Sequence, residues 1–322
     1  MLDYAIIGGG AWGTALANRI AGRLPAQRIR LWLRDKEMER AINQRHQNPN
    51  YLGGIALHKN VIAHCDGKEA LAQARYVFII VPFQSLRNIM QDLKPFIPTD
   101  TTLIIGSKGI ERDTLLLGHD ILHILFPANP LMAISGPSFA KEVAIGLPTA
   151  LTLASDAHHA NHRDALVKQL SGRNLRLYAS DDVAGVELLG ALKNVYCIAA
   201  GMTQGARLGE NARASLLCRA LVEMERMLDK IGNKASLMTP AGIGDFMLSA
   251  LSPTSRNTQY GMMLAEEHMS QAGQLYEGRF TTKAAYDLAR KLTVDTPILD
   301  AVLDIIEGRL SVEQAATRLM ER

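Results

Sequence analysis

Short apolar runs alternate with helical periodicity through the first half of the chain. YAIIG (residues 4–8) reads as a strand, and WGTALANRIAG (12–22) follows with helical spacing. IRLWL (29–33) is the next strand, followed by a polar helix over 35–45. YVFIIV (76–81) and TTLIIG (101–106) are continuous β-rich runs, as expected for strands buried on both faces of a parallel sheet. LMAIS and TALTLAS extend the same pattern. Such strand–helix–strand repetition predicts βαβ units and a mainly parallel, doubly wound sheet. Near YASDDVAG the β-runs stop, and helical spacing occupies 181–202, 211–230, 258–272, 280–291, 296–307 and 311–321. The fold expected is a Rossmann-type α/β domain over residues 1–180, then an all-α domain over 181–322, with Asp181 or Asp182 capping its first helix.

Composition narrows the class. At 322 residues the chain suits two cores, and 48% hydrophobic residues suffice to fill them. A net charge of +3 argues against a dedicated nucleic-acid binder but leaves room for a local basic pocket. Cys65, Cys197 and Cys218 are scattered, form no CxxC, and read as free thiols of a reducing cytoplasm. No metal-type cluster stands out, so no metal is expected. The chain opens MLDYAIIGGG, directly into a strand, without a basic leader. Its longest stretch lacking Asp, Glu, Lys and Arg, residues 121–140, is broken by Pro127, Pro130 and Pro137, so no membrane insertion is expected.

Several stretches carry chemistry. IIGGGAWGTALA sets Gly8, Gly10 and Gly13 in GxGxxG spacing between a strand and a helix, the context in which a dinucleotide pyrophosphate meets a helix N-terminus. At the end of the second strand, where cofactor choice is made, LWLRDK places Arg34 and then Asp35. Arginine favours the 2′-phosphate of NADP, while Asp35 keeps NAD open. IIGSKGIE puts Ser107 and Lys108 just after a strand, and SGPSFAKE leads Gly136, Pro137 and Ser138 toward a helix start. Lys193 interrupts the apolar helix GVELLGALKNVYCIAAG, although lysine is rarely buried without a partner. Asp245 follows a glycine-rich turn in AGIGDFML, and SRN supplies Ser255, Arg256 and Asn257, donors suited to a phosphate if they fold against Lys193.

GGGAWGTALA, SKGIE, SGPSFAKE, GVELLGALKNV, GENARASL, GIGDF and SRN occur in one order, from residue 5 to about residue 285. In this the chain resembles the bacterial NAD(P)-dependent glycerol-3-phosphate dehydrogenases. The resemblance implies a Rossmann domain, a helical substrate domain and an active site in the cleft between them. It also implies interconversion of dihydroxyacetone phosphate and sn-glycerol 3-phosphate, which supplies phospholipid synthesis. The family's pattern makes Lys193 the catalytic acid/base and Lys108 a contact of cofactor and substrate. It assigns Gly136 and Ser138 to substrate and Ala140 to cofactor. Asp245 joins the catalytic set, and Ser255, Arg256 and Asn257 bind substrate, with Arg256 also near the cofactor. Leu275 and Glu277 match a later cofactor contact, and Ala11 and Trp12 follow the second glycine of the cradle. The chain departs from the usual pattern at Ala11, which forfeits a side-chain hydrogen bond to the pyrophosphate, and at Glu210 and Phe246.

Ketone reduction needs a hydride on carbon and a proton on oxygen, and a cation near that oxygen stabilises the charge that develops there. An apolar setting and a neighbouring Lys108 are expected to lower the pKa of Lys193, while Asp245 opposes this and holds the amine. Gly190, one turn earlier, is expected to leave room for a ligand. NADP is the favoured cofactor, with NAD as the alternative. A homodimer in the cytoplasm is expected, with a small phosphorylated substrate and no nucleic acid. Two other functions fit parts of the pattern: another two-domain hydroxyacid or keto reductase, or a silent NADPH sensor. Neither accounts for SGPSFAKE and SRN in this order together with Lys108, Lys193 and Asp245.

Overall fold

The computed structural model describes residues 3–266 and 277–321. The chain divides into two compact units, Met1–Ser107 with Gly118–Val183, and Lys108–Leu117 with Ala184–Arg322. A short excursion, Lys108–Leu117, therefore belongs to the helical unit although it lies well before residue 180. Ile110 and Leu117 explain it, because both are buried in the helical unit's core.

The first unit holds eight strands: β1 (Asp3–Ile7), β2 (Ile29–Trp32), β3 (Val61–His64), β4 (Ala74–Ile79), β5 (Thr102–Ile105), β6 (Leu131–Ser135), β7 (Thr149–Ser155) and β8 (Leu175–Ser180). Its helices are α1 (Ala11–Arg23), α2 (Lys36–Arg45), α3 (Pro49–Leu52), α4 (Gly67–Leu71), α5 (Leu86–Leu93), α6 (Gly118–Leu125), α7 (Ala140–Ala144) and α8 (Ala160–Leu170). The strands form one sheet in the order β3-β2-β1-β4-β5-β6-β7-β8. Neighbours are parallel except β6 and β7, where Met132 faces Ser155 and Ser135 faces Thr152. This is the expected doubly wound sheet, and the order reverses between β1 and β4, where open α/β sheets bind ligands. Tyr4, Ile6, Leu31, Phe78, Ile104 and Ile134 on one sheet face pack against Leu16 and Ile20 of α1.

Two strands lay outside the expectation. VIAH of β3 sits between polar HKN and CDG without a longer continuous apolar run, so it was not set off from its surroundings. In β8, buried Leu175 and Leu177 alternate with exposed Arg176 and Tyr178, and this half-buried edge pattern ran into the polar boundary. There Asp181 accepts a hydrogen bond from Arg163, and Asp182 immediately precedes the next helix.

The second unit contains α9 (Val183–Gly205), α10 (Glu210–Ile231), α11 (Asp245–Leu251), α12 (Arg256–Ala265), α13 (Glu277–Lys291), α14 (Pro297–Ile306) and α15 (Val312–Met320). The helix expected over 258–272 starts at Arg256 and ends at Ala265 with Glu266 as its C-cap, and residues 267–272 lie outside the described residues. By length and hydropathy α9 could cross a membrane, but 83% of its apolar window is buried within the protein, so it is the central core helix. Glycines bring α12 against it. A Cβ on Gly201 would stand 2.0 Å from the Thr258 carbonyl oxygen, and one on Gly261 would stand 2.0 Å from that of Ile198.

Candidate active site

The first unit builds a dinucleotide cradle. Gly8 follows β1 at φ +124°, a left-handed geometry that only glycine adopts readily, and a Cβ there would lie 2.0 Å from the Ile80 carbonyl oxygen. A Cβ on Gly13 would strike the Gly8 carbonyl oxygen at 1.9 Å, so this glycine lets α1 sit close to β1. Gly10 is different. It caps α1 in extended conformation, no side chain caps the helix, its first turn holds no acid, and nothing lies within 4 Å of where a Cβ would be. The positive end of a 13-residue helix thus carries neither an acid nor a side-chain cap, a setting suited to a pyrophosphate. Asn48 fixes the loop, donating to the Gly9 carbonyl at 3.0 Å and to Thr14 Oγ1 at 2.8 Å.

Around the cradle the expected residues take distinct positions. Ala11 packs with Ala15, Ala140 and Val143, so its methyl group serves the α1–α7 contact. Trp12 donates its indole N–H to Ser138 Oγ at 3.0 Å, and Ser138 donates in turn to the Gly136 carbonyl at 2.9 Å. Ser138 is therefore tied to the first turn of α1. Gly136 itself holds φ +147°, and a Cβ there would lie 2.9 Å from the Ala150 carbonyl oxygen. At the end of β2, Asp35 caps α2, its Oδ1 accepting from Glu37 N at 2.8 Å and Met38 N at 3.1 Å. Arg34 beside it is exposed.

In the second unit two lysines share one carboxylate. Lys193 Nζ donates to Asp245 Oδ1 at 2.8 Å and to Ser249 Oγ at 2.9 Å, while Lys108 Nζ donates to Asp245 Oδ2 at 2.5 Å. Asp245 is 2% exposed. A π-type turn over Pro240–Gly244 delivers it to the first position of α11, and Ser249 lies one turn further on the same helical face. Burial alone would raise the Asp245 pKa, but the two ammonium groups outweigh it and hold the carboxyl below its usual range. Burial lowers the Lys108 pKa, and the contact with Asp245 only partly offsets this.

The expectation for Lys193 is overturned here. Burial opposes its charge, yet Asp245 and, more weakly, Glu277 prevail, so the pKa is raised and the group is an ammonium at neutral pH. Lys108, not Lys193, has the lowered pKa. Gly190 is buried within α9, so the room expected there is not open surface.

The SRN residues divide their work. Ser255 is the N-cap of α12, its hydroxyl accepting from Thr258 N at 3.5 Å. Asn257 donates to Asn194 Oδ1 at 2.9 Å and accepts from Gly278 N at 3.2 Å, joining α9, α12 and α13. The Asn257 amide that was expected to meet substrate is thus partly engaged within the protein. Arg256, first in α12, is exposed. Glu277 opens α13, where burial raises its pKa against the opposing pull of Arg256 and both lysines. Lys108, Lys193 and Arg256 outnumber Asp245 and Glu277, leaving an excess of positive charge. Leu275 lies outside the described residues.

Three positioning residues, Asn48, Asn194 and Ser249, were not anticipated. Ser249 could have been found, because its spacing of four from Asp245 places both on one helix face. Asn194 is adjacent to Lys193, but its partner across α12 is set by tertiary packing. Nothing in the sequence near Asn48 points to the glycine loop. Among the described residues no group of three or more His, Cys, Asp or Glu side chains could hold a metal.

Comparison with known proteins agrees with this geometry. The family profile described as NAD-dependent glycerol-3-phosphate dehydrogenase N-terminus matches residues 3–161, and the corresponding C-terminus profile matches residues 182–317. Glycerol-3-phosphate dehydrogenase [NAD(P)+] of Mesorhizobium japonicum is 42% identical over 98% of this chain and 91% of its own length. That of Rhodospirillum rubrum is 39% identical over 100% of this chain and 93% of its own. The crystal structure of glycerol-3-phosphate dehydrogenase from Coxiella burnetii superposes with a TM-score of 0.92 at 35% identity, covering 100% of this chain and 99% of that one. D-mandelate dehydrogenase, at 16% identity and a TM-score of 0.65, shares the fold alone. On glycine cradle, paired lysines and near-complete alignment together, the chain belongs to the NAD-dependent glycerol-3-phosphate dehydrogenase family.

Proposed function

We propose that the protein is an NAD(P)-dependent oxidoreductase that interconverts dihydroxyacetone phosphate and sn-glycerol 3-phosphate. The observation that carries this reading is Lys193, an ammonium held by Asp245 and Ser249 and accompanied by an excess of cationic side chains. Gly8, Gly10, Ala11, Trp12 and Gly13 would hold the dinucleotide, with Ala140 and Glu277 as further contacts. When bound, the nicotinamide supplies the hydride. Lys193 donates its proton to the oxygen of the ketone as negative charge develops there, and the Asp245 and Ser249 hydrogen bonds fix the direction of its N–H groups. Asp245 stays ionised, so the proton leaves from lysine and not from the carboxyl group. Lys108 adds a second positive charge that favours the alkoxide-like oxygen. Arg256, with the α12 N-terminus behind it, takes the substrate phosphate, and binding that non-reacting group helps to align the carbonyl. Ser138, Gly136, Ser255 and Asn257 complete the substrate contacts.

The raised pKa of Lys193 sets its resting form at neutral pH: the lysine is protonated, ready as an acid for ketone reduction, and must lose a proton before it can act as base for alcohol oxidation. Arg34, exposed beside an Asp35 that caps α2, supports NADPH as the preferred cofactor. With this chemistry the protein would act in the cytoplasm as a homodimer and supply glycerol 3-phosphate to phospholipid synthesis. The test follows nicotinamide absorbance on adding dihydroxyacetone phosphate, with NADPH and NADH in parallel, and then on adding unphosphorylated dihydroxyacetone and 2-keto acids. Rapid oxidation only with the phosphorylated ketone is expected. Cofactor binding without turnover, or preference for a keto acid, would overturn the reading.

A further inference from the structure

Arg19 and Arg23 lie one turn apart on α1, and neither has a carboxylate partner among the described residues. Arg19 Nε is buried without a hydrogen-bond acceptor. A buried donor in that state is costly, and a guanidinium beside a second guanidinium more so. Burial, and then the charge of Arg23, lower the Arg19 pKa.

The surrounding loops add a donor. The point a Cβ on Gly146 would occupy lies 3.5 Å from Arg19 Nη1 and 3.9 Å from Asn174 Nδ2. A Cβ on Gly172 would lie 3.2 Å from Arg23 Nε. Both loops are held by backbone bonds, Gly146 N to the Val143 carbonyl, Gly172 N to the Leu175 carbonyl, and Thr149 N to the Asn174 carbonyl. Arg19 Nη1 and Asn174 Nδ2 thus flank Gly146, and the exposed Arg23 side chain lies against Gly172.

We propose that Arg19, Arg23 and Asn174 form a second anion site that takes a phosphate or phosphomonoester. Guanidinium forks match phosphate oxygens, and two positive charges match a dianion. The site is separate from the pyrophosphate cradle: Arg19 is about 12 Å along the helix from Ala11. It lies wholly within the first unit and needs no residue of the proposed catalytic set, so its failure would leave the dehydrogenase reading standing.

The test is equilibrium dialysis of the full chain against labelled inorganic phosphate at fixed ionic strength. Wild type is expected to bind one more phosphate per chain than Arg19→Gln/Arg23→Gln, or to bind it roughly tenfold more tightly. Asn174→Asp, which keeps the shape but sets a carboxylate among the donors, should lose the same phosphate and remain folded by circular dichroism. Lys59→Gln/Lys68→Gln, an equal charge loss at exposed positions of the same unit, should bind as wild type. Equal binding by wild type and both site variants, or an equal loss in the lysine control, would overturn the site. Vesicles of phosphatidic acid and of phosphatidylcholine distinguish the source. Sedimentation with phosphatidic acid alone, lost in the arginine variant, assigns the phosphate to a lipid headgroup. Absence of sedimentation together with phosphate binding assigns it to a soluble phosphomonoester.

Discussion

Replacing Asp245 with Asn tests the charge logic of the paired lysines. The substitution keeps the size of the side chain and removes the charge that Lys193 meets at 2.8 Å and Lys108 at 2.5 Å. At an effective dielectric of ~20, each contact carries roughly 6 kcal/mol of direct attraction. Removing one partner of a buried pair typically destabilises a protein by ~3–5 kcal/mol. Part of that loss is avoided here because Lys108, whose pKa is already lowered, can release its proton. Lys193 then loses the interaction that kept it protonated against burial, and its pKa must fall. At neutral pH fewer chains carry the acid for ketone reduction, and turnover is expected to drop by ~10²–10⁴-fold. The drop should shrink as pH is lowered, because protonation of Lys193 is recovered. Lys193→Ala should lose comparable turnover at every pH and still bind cofactor. The assay is stopped-flow reduction of dihydroxyacetone phosphate from pH 5 to pH 9, alongside fluorescence titration of NADPH. Wild-type turnover in Asp245→Asn, or a loss that does not change with pH, would refute the role of Asp245 in holding Lys193 protonated.

Arg256→Ala should lower kcat/KM for the phosphorylated ketone by roughly 10- to 100-fold through loss of a charge-assisted contact, with steady-state kinetics on unphosphorylated dihydroxyacetone unchanged. Arg34→Ala should weaken NADPH binding by roughly tenfold and leave NADH unaffected, as read by fluorescence titration. Glu223 offers a stability test. It is 2% exposed, accepts from Tyr196 and from the amides of Ile298 and Leu299, and burial pushes its pKa up to about 7. Its folded pKa is raised, so its contribution is fully present below about 4.5 and is lost as pH rises through about 7, a window corresponding to about 3 kcal/mol. Glu223→Gln should remove that part of the pH slope in the thermal unfolding of the helical unit, and an unchanged slope would show that the carboxyl group does not titrate in this range.

Much of the architecture was legible because it depends on local periodicity. The continuous apolar runs around β4 and β5 announce strands covered on both faces, and GxGxxG between a strand and a helix locates the cradle. The short β3 and the half-exposed β8 were not legible, since neither carries the continuous apolar run that marks β4 and β5. The excursion of Lys108–Leu117 into the helical unit was hidden for another reason: only the packing of Ile110 and Leu117 decides it. The same holds for the tie of Asn257 to α9 and α13, whose partners Asn194 and Gly278 are set by tertiary packing.

By itself the sequence determined most of the strands and helices and, through residue type and short-range spacing, the glycine cradle; it singled out Lys108, Lys193, Asp245 and Arg256 as candidates, whose roles were implied by the resemblance that SKGIE, GVELLGALKNV, GIGDF and SRN carry. Tertiary structure decided how these groups behave. That Asp245 serves two lysines, that Ser249 holds one of them, and that Lys193 stays charged while Lys108 is the destabilised cation all depend on distances across segments far apart in the chain. Electrostatic energies change steeply over a few ångströms and with burial, and neither quantity is encoded in spacing along a sequence.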